Sequence, residues 1–368
     1  MALRKSFSSI SRQYFSGIDT SLFATVVAIC LFSIFNLYGI GGSQNPFFVK
    51  QVIFVGAGIV LMAVFSFFNY RYLRNYSLVV FVFYILALLL LTMPFFFHSI
   101  RGVKSWIVIG GFTFEPAELM KLVLIVLMAK YFSQRHIHIN NYRHVVISGI
   151  YCLIPALITL VQPDLGSALI IIFIWFGMLL AAGINKRHLF ILLIMAMLVG
   201  SVGWMFVLKP YQKIRVESFL NPAGDPRGSG YNLIQSKIAI GSGYILGSGW
   251  GNGQQTKSGF LPEPYNDFIF AATADQFGLL GIGTLLAALL FVISRILLIG
   301  ERASTNFGKL FALGLTILIA THALIGAAVN IGLMPVTGIP FPLISYGGSN
   351  LISLMTGLGI LQSIKRHG

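Results

Sequence analysis

Residues 77–97 read SLVVFVFYILALLLLTMPFFF, a run without a single charged side chain. About 20 apolar residues in a helix cross the hydrocarbon core of a bilayer. A soluble strand or buried helix has no use for a run of that length. Working outward, nine further stretches have the same character. They are residues 20–40, 50–69, 116–133, 145–162, 165–184, 188–208, 266–299, 307–332 and 343–364. The whole chain of 368 residues is 57% hydrophobic and 10% charged, with a mean hydropathy of +0.86. Soluble domains carry about 25% charged residues, so a water-soluble enzyme is excluded. Disorder is excluded as well, because it requires low hydrophobicity. The expected fold is all-α and integral to a membrane, with ten transmembrane helices. They form a single polytopic domain over residues 1–368. One large extracytoplasmic loop, residues 209–265, lies between spans 7 and 8.

The N-terminal 19 residues are basic and rich in serine, and the apolar run after them is longer than a signal-peptide core. No cleavage site of the A-x-A kind follows, so the first span is expected to be retained. The net charge is +15. In a soluble chain that surplus would suggest a nucleic-acid partner, but here none is expected. Basic cytoplasmic loops and anionic lipid account for it instead. With the N-terminus inside, every inner connection is basic: Arg71 and Arg74, Arg135 and Arg143, Lys186 and Arg187, Arg302, then Lys365 and Arg366. Eight of the ten acids fall toward the outer face: Glu115, Glu118, Asp164, Glu217, Asp225, Glu263, Asp267 and Asp275. Chemistry is therefore expected on the outside. Cys30 and Cys152 lie in apolar runs and read as buried small hydrophobes. No metal-ligand spacing is present, and His322, alone in the ninth span, reads as packing.

Six constellations stand out. In Glu115-Pro-Ala-Glu118-Leu-Met-Lys121, the spacing of three lets Glu118 and Lys121 pair within an apolar helix. A structural and a catalytic role for that pair stand level. In Gln162-Pro163-Asp164-Leu165-Gly166, Asp164 reads as a helix cap, and its depth also suits a cluster with Glu118 and Lys121. Arg101 and Lys104, before Trp106, either solvate the outer surface or hold phosphate. In the long loop, Lys213 and Arg215 precede a glycine-rich run, GSGYILGSGWGNG at 241–253. That run is read as tight turns more readily than as a phosphate cradle. Tyr231 to Ile240 has helical spacing and is expected to lie on the membrane surface or re-enter it. In Leu261-Pro-Glu-Pro-Tyr-Asn-Asp267, Asn266 or Asp267 would cap the eighth span. At the lipid–water boundary Asp267 could also take a proton from a substrate hydroxyl. Finally, NIGLMPVTGIPFPLISYGGSN at 330–350 packs Pro335, Pro340, Pro342, Gly338, Gly347 and Gly348 into a span end. Backbone that irregular belongs to a cavity wall, with Asn330, Pro340, Ser345, Tyr346, Gly347 and Gly348 as its lining.

Those segments, in that order, resemble the SEDS family of bacterial shape, elongation, division and sporulation proteins. The match runs over essentially the whole chain. It rests on residues 110–122 (GGFTFEPAELMKL), 162–168 (QPDLGSA), 232–236 (NLIQS), 239–243 (AIGSG), 267–270 (DFIF) and 330–350. Pro335-Val-Thr-Gly-Ile-Pro340 looks more like the elongation branch, RodA, than the division branch, FtsW. Where the family usually carries His-Thr before its aspartate, this chain has Tyr265 and Asn266, so no role for the His and Thr carries over. The resemblance implies a peptidoglycan glycosyltransferase of the bacterial cytoplasmic membrane, with both termini cytoplasmic and the active site outside. It would polymerise lipid II onto a growing glycan strand during cell-wall elongation. The implied partners are a class B penicillin-binding transpeptidase and the elongation machinery. The family's essential aspartate falls on Asp267, expected as general base, and its supporting polar residues on Glu118, Lys121 and Asp164. Cations for the leaving pyrophosphate are expected from Arg101, Lys104, Lys213 and Arg215. No protein-bound metal is expected, although Mg or Mn bridging the phosphates is compatible with the reaction. The competing readings are a lipid II flippase, a division-type polymerase and a purely structural partner.

Overall fold

The computed structural model describes residues 17–97, 104–134, 142–207, 209–225 and 228–368. The basic N-terminal residues Arg4, Lys5 and Arg12, with Arg101 and Arg135, lie outside them. In chain order the helices are α1 (Thr20–Gly41), α2 (Pro46–Phe67), α3 (Arg71–Asn75), α4 (Ser77–Thr92), α5 (Pro116–Ser133), α6 (Tyr142–Val161) and α7 (Leu165–Ala181). They continue as α8 (Lys186–Val202), α9 (Pro210–Leu220), α10 (Ser229–Ser242), α11 (Gln254–Lys257), α12 (Ile269–Arg302), α13 (Asn306–Ile331) and α14 (Gly348–His367). Strands β1 (Ile107–Ile109) and β2 (Phe112–Phe114) pair antiparallel, with Ile107 opposite Phe114. This hairpin corrects the all-α expectation. Gly110 and Gly111 both have positive φ, 57° and 81°. That backbone suits a two-residue hairpin turn, and Gly-Gly between β-branched and aromatic residues encodes it.

Among the described residues, seven helical segments are long and apolar enough to cross a membrane, and α7 is a shorter apolar helix. Their outer faces carry large exposed apolar side chains, such as Val60, Leu78, Leu89 and Met197. Water would not tolerate apolar surface that continuous; the chain is a multi-pass membrane protein. α5, with three charged residues, and α14, with lower hydropathy, are less lipid-like for a physical reason. α5 is buried along its length except at Leu119, Val123 and Ser133. It packs against α4, α7, α13 and α14. Surrounded by protein instead of lipid, it tolerates Glu118, Lys121 and Lys130. Lys130 donates to the Arg74 carbonyl, tying the far end of α5 to α3. α14 lies along α2 in the same way, with Gly58 against Met355 and Gly359 against the Met62 backbone.

α12 is two helices joined at Gly278, whose φ of 63° and ψ of −161° break the helical ladder. The groups released there are taken up by the glycine-rich run. Leu279 and Leu280 donate to the Tyr244 and Ile245 carbonyls, and Ser248 and Gly249 donate back to Asp275 and Gln276. A Cβ on Gly278 would meet the Gly247 nitrogen at 2.4 Å, so only glycine fits. Those amides are spent on α12, so the run is an anchor and not a phosphate cradle. Asp275 completes the anchor by accepting from the Thr256 amide and hydroxyl, both at 2.9 Å. The stretch expected on the membrane surface forms α10, which buries Leu233, Ser236 and Ala239 against α12 and α13.

Candidate active site

Four segments converge on an open cleft of about 320 Å³: the start of α2, the β-hairpin with the residue capping α5, the turn before α12, and the loop into α14. Phe47, Lys50, Trp106, Glu115, Glu263 and Asp267 line it, together with Pro340, Tyr346, Gly347 and Gly348 from the signature loop. The aromatic wall is built by Phe47, which stacks on Tyr265 at 4.8 Å and meets Tyr346 edge-on at 4.9 Å.

The turn carrying Asp267 is held carbonyl by carbonyl. The Tyr346 amide donates to the Tyr265 carbonyl at 2.8 Å. The Ser345 hydroxyl donates to the Asn266 carbonyl at 2.8 Å. The Asn330 side-chain amide donates to the Asp267 carbonyl at 2.8 Å. Three consecutive carbonyls are thus gripped by the 330–350 segment. The cap position of α12 falls on Phe268, whose side chain cannot accept a hydrogen bond. The first-turn amide of Ala271, which is buried and has no partner within the helix, instead donates to Asn330 Oδ1 at 3.0 Å. The expected capping by Asn266 or Asp267 is therefore corrected: a residue on α13 caps α12 from outside. Asn330 and Ser345, expected on the cavity wall, sit behind it, 1% and 5% exposed.

Below the cleft lies a buried polar layer. Lys121 and Glu118 form an ion pair at 2.8 Å and are almost fully buried. Asn350, which lines the cleft, donates to the other Glu118 oxygen at 2.9 Å. Asp164 caps α7 by accepting from the Ser167 amide at 3.0 Å. Ser167 in turn donates to Glu115 at 3.2 Å, and the Ser349 hydroxyl accepts from the Glu115 amide at 2.8 Å. Asp164 thus joins the layer through Ser167 and Glu115. His322, read as packing, belongs to it as well. Its Nδ1 is 3.2 Å from the Pro340 carbonyl and 3.5 Å from the Asn350 amide.

The expected phosphate cations divide. Lys104 is exposed two residues before Trp106, and its amide donates to the Gln162 carbonyl at 3.3 Å. Arg215, on α9, donates to the Val336 carbonyl at 3.3 Å, behind the signature loop. Lys213 is half-buried on the same helix, and neither it nor Arg215 lines the cleft. Arg101 lies outside the described residues. Among the described residues the cation that lines the cleft is Lys50, whose Nζ donates to the Gly111 carbonyl at 2.6 Å. Its sequence signal was a lysine at the outer end of the second apolar run. Among the described residues no three His, Cys, Asp or Glu come together as a metal-binding group.

A family model for the FtsW, RodA and SpoVE cell cycle proteins matches residues 13–368. The peptidoglycan glycosyltransferase MrdB of Escherichia coli (strain K12) is 33% identical over 351 residues, covering 95% of this chain and 94% of that protein. The crystal structure of the rod shape determining protein RodA of Thermus thermophilus superposes with a TM-score of 0.70 at 26% identity. It covers 95% of this chain and 97% of that one. A chain from a peptidoglycan synthase complex, solved for its coordination of polymerization and crosslinking, superposes with a TM-score of 0.80 at 29% identity. It covers 95% of this chain and 98% of that one. Sequence and overall fold agree over nearly the full length, and the protein belongs to the FtsW/RodA/SpoVE family, the SEDS proteins.

Proposed function

We propose that the protein is a peptidoglycan glycosyltransferase that joins lipid II to a growing glycan strand, with Asp267 as general base. The observation that carries this is the clasp of the 330–350 segment on three successive carbonyls, which fixes the turn bearing Asp267 at the cleft. Asp267 takes the proton from the 4-hydroxyl of the acceptor's N-acetylglucosamine. That oxygen attacks the anomeric carbon of the strand's terminal sugar, and the polyprenyl pyrophosphate leaves with inversion. Charge grows on the leaving pyrophosphate, and fixed cations stabilise it. Lys50 would serve that role in the cleft and Lys104 beside Trp106, with Arg101 as a further candidate. Lys213 and Arg215 would act from the far side of the signature loop.

The same reading takes all ten long helices as spans in one polytopic unit over residues 1–368, with residues 209–265 and the cleft extracytoplasmic and both termini cytoplasmic. The basic residues at the far helix ends, Arg71, Arg74, Lys186, Arg187, Arg302 and Lys365, support that orientation. A class B penicillin-binding transpeptidase is the proposed partner. The elongation role rests on the likeness to MrdB and RodA, with division as the alternative. Against a flippase stands the spent charge of Glu118 and Lys121, bound to each other and to Asn350. The test is purified chain supplied with lipid II, alone and with a transpeptidase partner. Glycan polymer should form and vanish in Asp267→Asn. The reading fails if wild type makes no polymer with the partner present yet moves lipid II across liposomes.

A further inference from the structure

At the opposite end of the molecule from the cleft, the start of α1 meets the last turns of α12 and α14. Asp19 lies at the junction, 2% exposed. Its carboxylate accepts from Arg295 at 2.5 Å and Lys365 at 3.1 Å. It also caps α1 through the Leu22 amide at 3.0 Å. Gln362 fastens its backbone, accepting from the Asp19 amide at 2.7 Å and donating to its carbonyl at 3.1 Å. Beside this node is a small pocket of about 80 Å³, lined by Asp19, Arg295, Arg302, Lys365 and apolar residues that include Leu298 and Ile364.

Cations in the last turn of a helix compensate its dipole, and that alone explains Arg302 and Lys365. It does not explain the pocket. Three cations line it against one carboxylate already shared by two of them, and counting a carboxyl group at Gly368 still leaves it positive. Among the described residues the buried Nε of Arg295 has no hydrogen-bond partner, although a guanidinium presents five donors and seeks oxygen acceptors. On one side the pocket is lined by Leu298, 37% exposed on α12 next to the still more exposed Leu297. A cationic recess with an apolar margin, at the level where helices leave the bilayer, suits a phosphate whose glycerol and acyl chains continue into lipid.

We propose that this recess binds the phosphodiester headgroup of an anionic membrane phospholipid, with Arg302 and the donors of Arg295 and Lys365 not engaged by Asp19 as ligands. The bound lipid bridges α1, α12 and α14 from the face opposite the cleft. The site is independent of the glycosyl-transfer reading, since none of its residues touches the cleft.

The test uses the full chain in detergent, with native mass spectrometry and thermal unfolding as readouts. The probes are phosphatidylglycerol, phosphatidylcholine and inorganic phosphate. Arg302 is exposed and makes no ion pair with Asp19, so Arg302→Glu should leave the fold intact. Phosphatidylglycerol should be retained and should raise the unfolding temperature, while phosphatidylcholine should do neither. Arg302→Glu should weaken phosphatidylglycerol binding by roughly thirtyfold, the effect of about two charges facing an anionic headgroup. Arg302→Lys should keep most of the binding. Arg187→Glu, an exposed cation at the start of α8, should leave it unchanged. Equal retention of the two lipids overturns the proposal. So does an Arg187→Glu effect as large as that of Arg302→Glu, which would mark diffuse surface charge. If inorganic phosphate alone stabilises wild type and displaces phosphatidylglycerol, the recess serves a soluble anion and the lipid assignment fails.

Discussion

Asn330→Ala tests how the fold aims Asp267. The Asn330 side chain is 1% exposed and makes three hydrogen bonds, to the Asp267 carbonyl, the Ala271 amide and the Gly326 carbonyl. Gly326 lies inside α13 and keeps its helical partner. The other two groups would be left buried with none. Each orphaned group costs about 1–3 kcal/mol in a protein interior, whereas side-chain hydrogen bonds between membrane helices average nearer 0.6 kcal/mol. With two groups orphaned, the two scales bracket an expected loss of about 1–6 kcal/mol, and each ~1.4 kcal/mol of it is a tenfold shift in the local equilibrium. The same change releases one of three clasps on the Asp267 turn. Misplacing a catalytic group by about 1 Å can cost on the order of a hundredfold, so polymerisation should fall between about tenfold and a hundredfold, in kcat more than in KM. The assay is lipid II polymerisation read as glycan products on a gel, normalised to folded protein, with thermal unfolding alongside. Asn330→Asp keeps an acceptor for Ala271 and drops the donor to Asp267, so it should recover stability more than activity. An Asn330→Ala protein with wild-type unfolding temperature and polymer yield within about twofold would refute the positioning argument.

Three further changes separate the parts of the site. Lys121→Met strands Glu118 in the bundle; breaking a buried pair from one side costs about 3–5 kcal/mol, and the Glu118→Gln/Lys121→Met double variant should unfold later than Lys121→Met alone. A double variant no more stable than the single one would remove the ion-pair account. Lys50→Ala should lower kcat/KM for lipid II by about tenfold with little change in unfolding temperature, because Lys50 is half-buried at the cleft and its contacts, the Gly111 carbonyl and the Phe112 ring, lie on the exposed hairpin turn; a stability loss with normal kinetics would assign it to the hairpin instead. For Asp19, burial pushes the carboxyl up, but the Ser21 hydroxyl, Arg295, the Leu22 amide and Lys365 together hold it well below the usual carboxylate range. A depressed carboxyl stabilises the fold above its unfolded value, about 3.9, and that contribution fades as pH falls toward the folded one. Asp19→Asn should therefore unfold earlier than wild type at pH 7, with the gap narrowing below about pH 4; a gap that is constant with pH would show that its charge does not matter.

The membrane class was legible because apolar length alone decides it, as the run at 77–97 shows. Helix positions followed within a few residues for most spans, since each forms its own backbone hydrogen bonds whatever surrounds it. The ion pair of Glu118 and Lys121 was legible for the same reason, as a spacing of three on one helix brings them together. The β-hairpin at 107–114 was encoded by Gly110-Gly111 but hidden by the prevailing helical pattern. His322 read as packing because nothing within its own helix reveals Pro340 and Asn350 beside it.

The sequence by itself determined what each segment could do locally: which runs belong in lipid, where backbone must turn, and which acids face one side. Only the tertiary structure decided which of those segments meet. The Asp267 turn and the signature loop lie more than sixty residues apart, and Asn330 caps a helix that begins at Ile269. Lys50 reaches the cleft from the second helix, while Arg215 is turned to the back of the loop. The glycine-rich run lost its phosphate-binding reading because its amides are consumed by the break at Gly278. Helical periodicity carries information over a turn or two, whereas donors and acceptors between distant segments are matched only when the bundle closes. At that depth no water is present to satisfy the groups left over.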